Sequence, residues 1–271
     1  MPAPVRSVLL VVLACVLGAG ACDRQPSSSA SMDELADELE AINTKHRDQS
    51  LEQIDSEGLS LEAGAAHVNE LADTIGAQRD QATGEDRLLL DVLARFAEDM
   101  KAAAQDYTTV FARYTDTGAL DTTTMDSEEE ILRRIDLAED CIEANTRYRE
   151  RVRQLFADQP DKIRALAAQG VPQAHIDSFL RGFTNIDSNK LDRIDAVRTT
   201  DDTIMHKSVE MLTMLHDTFG LWKVNDAGTI TFDASVPQDA IHRYNAAFAE
   251  LQAAAAEQIR IQREQLESQQ P

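Results

Sequence analysis

Of the 271 residues, 48 are acidic and 26 basic, a formal charge of −22 at pH 7 with histidine neutral. A field of that sign repels phosphate backbones and anionic headgroups, which argues against nucleic-acid binding and leaves basic proteins, polyamines or divalent ions electrostatically admissible. Aromatic residues make up only 5% of the chain while Ala, Leu and Glu abound, the composition of a helical bundle.

Residues 1–21 read as a secretory signal. Arg6 gives a basic start, Val8 to Leu17 form an apolar run, and Gly18-Ala-Gly-Ala21 are small enough for a signal peptidase. At about ten residues the run is too short for a permanent membrane span, which takes roughly 20. Cys22 follows, and residues 22–31 form a polar tether, Asp23-Arg-Gln-Pro-Ser-Ser-Ser-Ala-Ser31 after the cysteine.

Ala19-Gly20-Ala21-Cys22 with such a tether resembles the lipobox of bacterial lipoproteins. In that family the signal is cut before the cysteine, whose thiol carries diacylglycerol with acyl chains such as palmitate. The resemblance implies lipidation at Cys22 and a periplasm-facing place in the cell envelope; two or three acyl chains hold a membrane firmly where one is marginal. Cys15 is a rival, but it leaves an apolar run of only seven residues. An ordinary cut after Ala21, with no lipid, is the alternative. Asp23 resembles the inner-membrane retention signal of enteric lipoproteins, and inner or outer membrane stays open. Removal of Arg6 with the signal leaves 25 basic against 48 acidic residues, a net −23. Cys141 is then the one remaining thiol, so no intramolecular disulfide forms and packing must supply the stability of residues 32–271.

Along those residues helical periodicity dominates. Ser31-Met-Asp-Glu34 has the capping-box pattern, opening a helix through Leu35, Leu39, Ile42, His46, Leu51 and Ile54 until Gly58. Ser60 can cap a restart carrying Leu61, Val68, Leu71 and Ile75. Thr83-Gly84 marks a joint, after which Leu89, Leu93, Phe96, Met100, Tyr107, Phe111 and Tyr114 run on to Gly118. An Asp/Thr-rich turn over residues 115–126 precedes a second capping box, Ser127-Glu-Glu-Glu130. The helix it opens should bury Ile131, Ile135, Ala138, Ile142, Tyr148, Val152 and Leu155, with Pro160 and then Gly170-Val-Pro172 interrupting it. Further helices are expected over 172–183 and 186–219. Residues 221–232 alternate around Asn225-Asp-Ala-Gly228, a β-hairpin signature, with Trp222, Ile230 and Phe232 facing the bundle. Ser235 should cap a last helix over about 236–268. Helices of about 30 residues are roughly 45 Å long. The fold class is therefore all-α, an elongated multi-helix bundle with one small β-hairpin near the C-terminus. Trp222-x-Val224, the Asp226 to Phe232 segment and Tyr244-Asn245 loosely resemble uncharacterised helical lipoproteins of Gram-negative bacteria, a likeness that brings no activity with it.

The sequence offers no catalytic constellation. No His-Glu-x-x-His, Glu-x-x-His, Gly-x-Ser-x-Gly or phosphate-binding glycine loop occurs, and no metal or cofactor is expected. Asp239 and His242 share a helical face, as chance readily produces among so many acids. Asp116, Asp121, Asp126 and Glu128 to Glu130 lack the ligand spacing and central glycine of a calcium loop. Cys141 lies in an apolar stripe and reads as a core thiol. Two features could serve binding: Trp222, as anchor or hot spot, and Arg147, Arg149, Arg151 and Arg153, as a docking patch or as partners of nearby acids. The expectation is a non-enzymatic, membrane-tethered protein that binds another envelope component or itself; the alternative is a carrier or sensor holding a small ligand between helices.

Overall fold

The computed structural model describes residues 30–54, 61–184, 188–225 and 229–268. Seven α-helices account for nearly all of them: α1 (Ala30–Ile54), α2 (Leu61–Gln81), α3 (Gly84–Asp116), α4 (Glu128–Arg164), α5 (Gln173–Thr184), α6 (Ser188–Asp217) and α7 (Gln238–Glu267). A two-stranded antiparallel hairpin, β1 (Trp222–Val224) and β2 (Ile230–Phe232), lies between α6 and α7. α1 packs on α2, α2 on α3, α3 on α4, α4 on α6 and α6 on α7, and α7 returns to touch α1. Six long helices thus close a ring, and short α5 packs beside α4. At 37 residues α4 is the longest helix, about 55 Å from end to end.

One continuous apolar core fills the ring. It takes Leu35 and Leu39 from α1, Leu71 and Ile75 from α2, Phe96 and Phe111 from α3, Leu155 from α4, Leu212 and Leu215 from α6 and Leu251 from α7. Each such side chain contributes roughly 1.5–3 kcal/mol on burial. A separate cluster of Leu89, Ile163, Leu166, Val171 and Ile176 joins the start of α3 to the end of α4 and to α5.

That cluster accounts for the main departure from the periodicity. Pro160 does not interrupt α4, which runs through it to Arg164. A proline inside a helix removes one hydrogen bond and crowds the preceding turn, at about 3 kcal/mol. Here the following turn is pinned by fully buried Ile163 and Leu166, so the helix persists. It ends instead in a 3₁₀ turn, Ala165–Gln169, stopped by Gly170 in the left-handed region at φ 91°.

The capping expectations divide. Ser127 caps α4 as expected, its Oγ accepting from the Glu130 N–H at 3.2 Å. Helix α1 begins at Ala30, ahead of Ser31. The residue before α7 is Pro237, with no side-chain cap, while Ser235 instead donates to Asp233 through its N–H at 2.9 Å and its hydroxyl at 2.7 Å. The breaks expected at Gly58, Ser60 and Ile186 lie outside the described residues. The joint at Thr83 is present, Gly84 opening α3 at φ 61°. In α4, Ile135 and Ile142 are only partly buried, whereas Arg134, Asn145 and Gln159 are buried.

The hairpin lies on the bundle as its aromatics suggested. Trp222 pairs with Phe232, Lys223 with Thr231 and Val224 with Ile230. The Phe232 ring meets Tyr244 of α7 edge-on at 5.4 Å and Trp222 meets Phe219 at 6.2 Å. Two strands alone are marginal, and these contacts fix them.

Replacing Ser127 with Ala should cost about 1 kcal/mol of unfolding free energy, since it removes the one side-chain cap of the longest helix. Urea unfolding followed by circular dichroism measures it, with an unchanged m-value expected.

Candidate functional site

Polar side chains converge where α3, α4, α6 and α7 meet. Arg198 and Asp201, three residues apart on α6, are 2% and 1% exposed, with Nη1 and Oδ2 3.0 Å apart. Tyr107 of α3 donates its hydroxyl to Asp201 Oδ2 at 3.2 Å, and Gln258 of α7 donates its amide to Oδ1 of the same carboxylate. The guanidinium carbon lies 4.9 Å from the Tyr107 ring centre and 5.8 Å from that of Tyr148 on α4. Four helices therefore supply one cation, one anion, two aromatic faces and an amide to a single buried point.

A chain of polar contacts leads from there to the surface. Asn145 of α4 donates to the Arg198 carbonyl at 2.7 Å and to Asp202 at 2.6 Å. Arg149 holds both Asp202 and Asp195 at 2.8 Å. Arg153, more than half exposed, reaches Asp195 at 2.7 Å.

The electrostatics hold these groups in fixed charge states. Burial pulls the Arg198 guanidinium down, but the Asp201 charge and the two tyrosines outweigh it, so its pKa ends above the ordinary value. Burial pushes Tyr148 up to about 12, and Tyr114 and Tyr244 likewise. The Cys141 thiol is also pushed up to about 12, first by burial and then by Asp140 and Asp201. A general acid or base works best with a pKa near the working pH, and none of these groups has one. Such an assembly orients helices.

The arginine run divides between two neighbours. Arg149 and Arg153, four residues apart, face α6. Arg147 and Arg151, also four apart, face α3, where Arg151 meets Asp99 at 3.0 Å and Arg147 meets Asp106 at 3.8 Å. Arg147 also lies 3.6 Å from Glu143 of its own helix. The four residues thus tie α4 to both flanks rather than forming one basic face. Trp222 is half-buried and donates its indole N–H to the Leu215 carbonyl at 2.9 Å, which ties the hairpin to α6. Cys22 lies outside the described residues. His242 contacts Gln238 at 3.0 Å, and Asp239 lies 4.0 Å from Arg243, so Asp239 and His242 do not converge on a common point.

The Asp/Thr-rich turn is organised from below by a buried arginine. Arg134 donates to the carbonyls of Ala119 and Asp121 at 3.1 and 3.0 Å and to the Thr124 hydroxyl at 2.6 Å, while its Nε meets Glu130 at 2.8 Å. Asp121 accepts from the Thr123 N–H and hydroxyl. Among the described residues no three His, Cys, Asp or Glu side chains gather as a metal would require, and no helix is long and apolar enough to cross a membrane. An open concavity of about 430 Å³ lies on the surface between Arg113, Asp116 and Thr117 of the α3 end and Arg133 and Leu137 of α4.

Sequence reading missed Arg198 and Asp201. The available signal was positional: with Ile194, Val197 and Ile204 at helical spacing, residues 198 and 201 fall on the same inward stripe. No family model matches the chain, and comparison with curated proteins and with solved structures finds no match.

Two outcomes are expected. Asp201→Leu leaves a buried guanidinium without its counter-charge and should destabilise the fold by about 3–5 kcal/mol, whereas Arg198→Met combined with Asp201→Leu should recover most of that loss. Denaturant unfolding of the single and double variants measures the coupling. Glu130 is the second case. Burial opposes its ionisation, but hydrogen bonds from Arg134 and Arg133 prevail and hold its pKa below the ordinary 4.5. Its stabilisation is therefore complete above the unfolded value and lost as pH falls through the folded one. Glu130→Gln should lower the urea midpoint at pH 7, and the difference from wild type should shrink as the pH falls below the ordinary carboxylate value.

Proposed function

We propose that this chain is a lipid-anchored, non-enzymatic helical protein of the cell envelope that acts by contact, binding another envelope component or itself. One observation carries the reading: the polar groups with most chemical potential are engaged inside the fold. Arg198 and Asp201 are closed off among four helices, and the arginines of α4 are paired with carboxylates of α3 and α6. The carrier alternative needs room between helices. The middle of this bundle is occupied by Tyr107, Tyr148, Phe96, Phe111 and the Arg198 pair, which favours contact over carriage. Function has to be argued from sites, and the surfaces left to act are the outer faces of the ring. Anchoring through Cys22 would hold those faces at the membrane, facing the periplasm, and raise their effective concentration toward anything fixed in the same layer.

Cross-linking in intact cells tests this, using tagged wild type and a Cys22→Ser variant with captured proteins identified by mass spectrometry. Wild type should sediment with membranes and give a reproducible envelope partner or a self-link, while the variant should move to the soluble fraction and lose most of that capture. Wild type found in the soluble fraction would remove the anchor from the reading. Equal capture by both forms would show that the contact does not need it, and no capture by either would overturn binding.

A further inference from the structure

Four joints of the six-helix ring are extensive, that between α1 and α2 is smaller, and that between α1 and α7 is slight. Toward the C-terminal ends of these two helices the described buried apolar contact is a small cluster apart from the main core, Ile54 of α1 against Leu266 of α7, flanked by partly buried Leu51, Ala63 and Ile259. The rest of the inward surface there is polar. α1 contributes buried Ser50, one turn before Ile54. Toward its C-terminus α7 changes from Tyr244, Ala247 and Leu251 to Gln258, Gln262 and Gln265, all nearly inaccessible. Gln262 shares the face of Ile259 and Leu266 by its helical spacing.

Only the first of these glutamines is matched to the core, through Asp201. The Gln262 Nε2 and both amide atoms of Gln265 are buried without a hydrogen-bond partner, although these residues are only 1% and 2% exposed. A buried amide in that state carries its full desolvation penalty, which water relieves when it arrives. Gln262 shares the Leu266 face, so separation at this joint forfeits little apolar contact and opens that amide to water. The α3–α4, α4–α6 and α6–α7 joints, by contrast, share the aromatic and aliphatic core and the Arg198 assembly. α1 is meanwhile tied to α2, where His46 stacks on His67 at 4.4 Å and Lys45 and His46 both reach Glu70.

We propose that the ring opens along the α1–α7 seam, α1 remaining with α2 and parting from the last turns of α7, so that the Ile54 side of α1 and the glutamine face of α7 become accessible while the rest of the bundle stays closed. The inference does not depend on lipidation. It gives a protein acting by contact a concealed surface that it can present reversibly.

Thiol labelling of the full chain in detergent tests it, with Cys141 as the internal reference from the continuous core. Leu266→Cys and, separately, Ile54→Cys are treated with iodoacetamide under native conditions. Each rate is divided by that of the same thiol in the urea-unfolded chain and read by peptide mass spectrometry. Both seam thiols should be at least about 100-fold less protected than Cys141. Adding Gln262→Leu and Gln265→Leu removes the unmet amides and should slow seam labelling at least tenfold without moving Cys141. Seam protection equal to that of Cys141 would overturn the proposal. So would faster seam labelling after the leucine substitutions, because the amides would then be holding the joint together. Ile54→Cys guards against the chance that Leu266→Cys merely loosens its own helix.

Discussion

The fold depends on one buried ion pair, Arg198 with Asp201. Taking both charges out of water costs several kcal/mol per ion unless the interior returns their interactions. Here α6 supplies the charges, α3 a hydroxyl and an aromatic face, α4 a second aromatic face and an amide that holds the Arg198 carbonyl, and α7 an amide on the Asp201 carboxylate. An apolar stripe tolerates sliding by a turn, because one aliphatic side chain can replace another. A pair that needs Tyr107, Tyr148 and Gln258 at the same level does not. The pair thus sets the register of four helices that hydrophobic burial alone would leave loosely specified.

Acidity shapes the outer layer. With 48 acidic residues against 26 basic, every arginine on an inward flank meets a choice of carboxylates. Arg149 and Arg153 join α4 to α6, and Arg151 and Arg147 join it to α3. Exposed pairs of this sort are each worth about 0–1 kcal/mol, so their effect lies in orientation. The surplus of negative charge leaves a net field that repels other anions.

The ring is consequently uneven. Where α3, α4 and α6 adjoin, aromatic packing and the Arg198 assembly coincide; where α1 meets α7, the apolar core has dwindled to Ile54 and Leu266 among buried glutamines. Local stability follows the density of buried apolar contact, so the α1–α7 joint is the least firmly held of the ring.

The sequence by itself determined the helices, the hairpin and the cap at Ser127, because periodicity, β-turn residues and the Ser-x-x-Glu pattern act over a few residues. Leu35, Leu71, Phe96 and Phe111 were legible as core for the same reason. Tertiary structure decided what local spacing leaves open. Pro160 sits inside α4 because Ile163 and Leu166 find partners on α3 and α5. The arginine run divides into two flanks because acids of two different helices stand beside it. Spacing puts Arg198 and Asp201 on the inward stripe of α6 while their charge argues for water, and only the meeting of Tyr107, Tyr148 and Gln258 from three other helices gives them a buried site. Periodicity says which side of a helix turns inward; which side chains meet there is fixed by the arrangement of the helices in space.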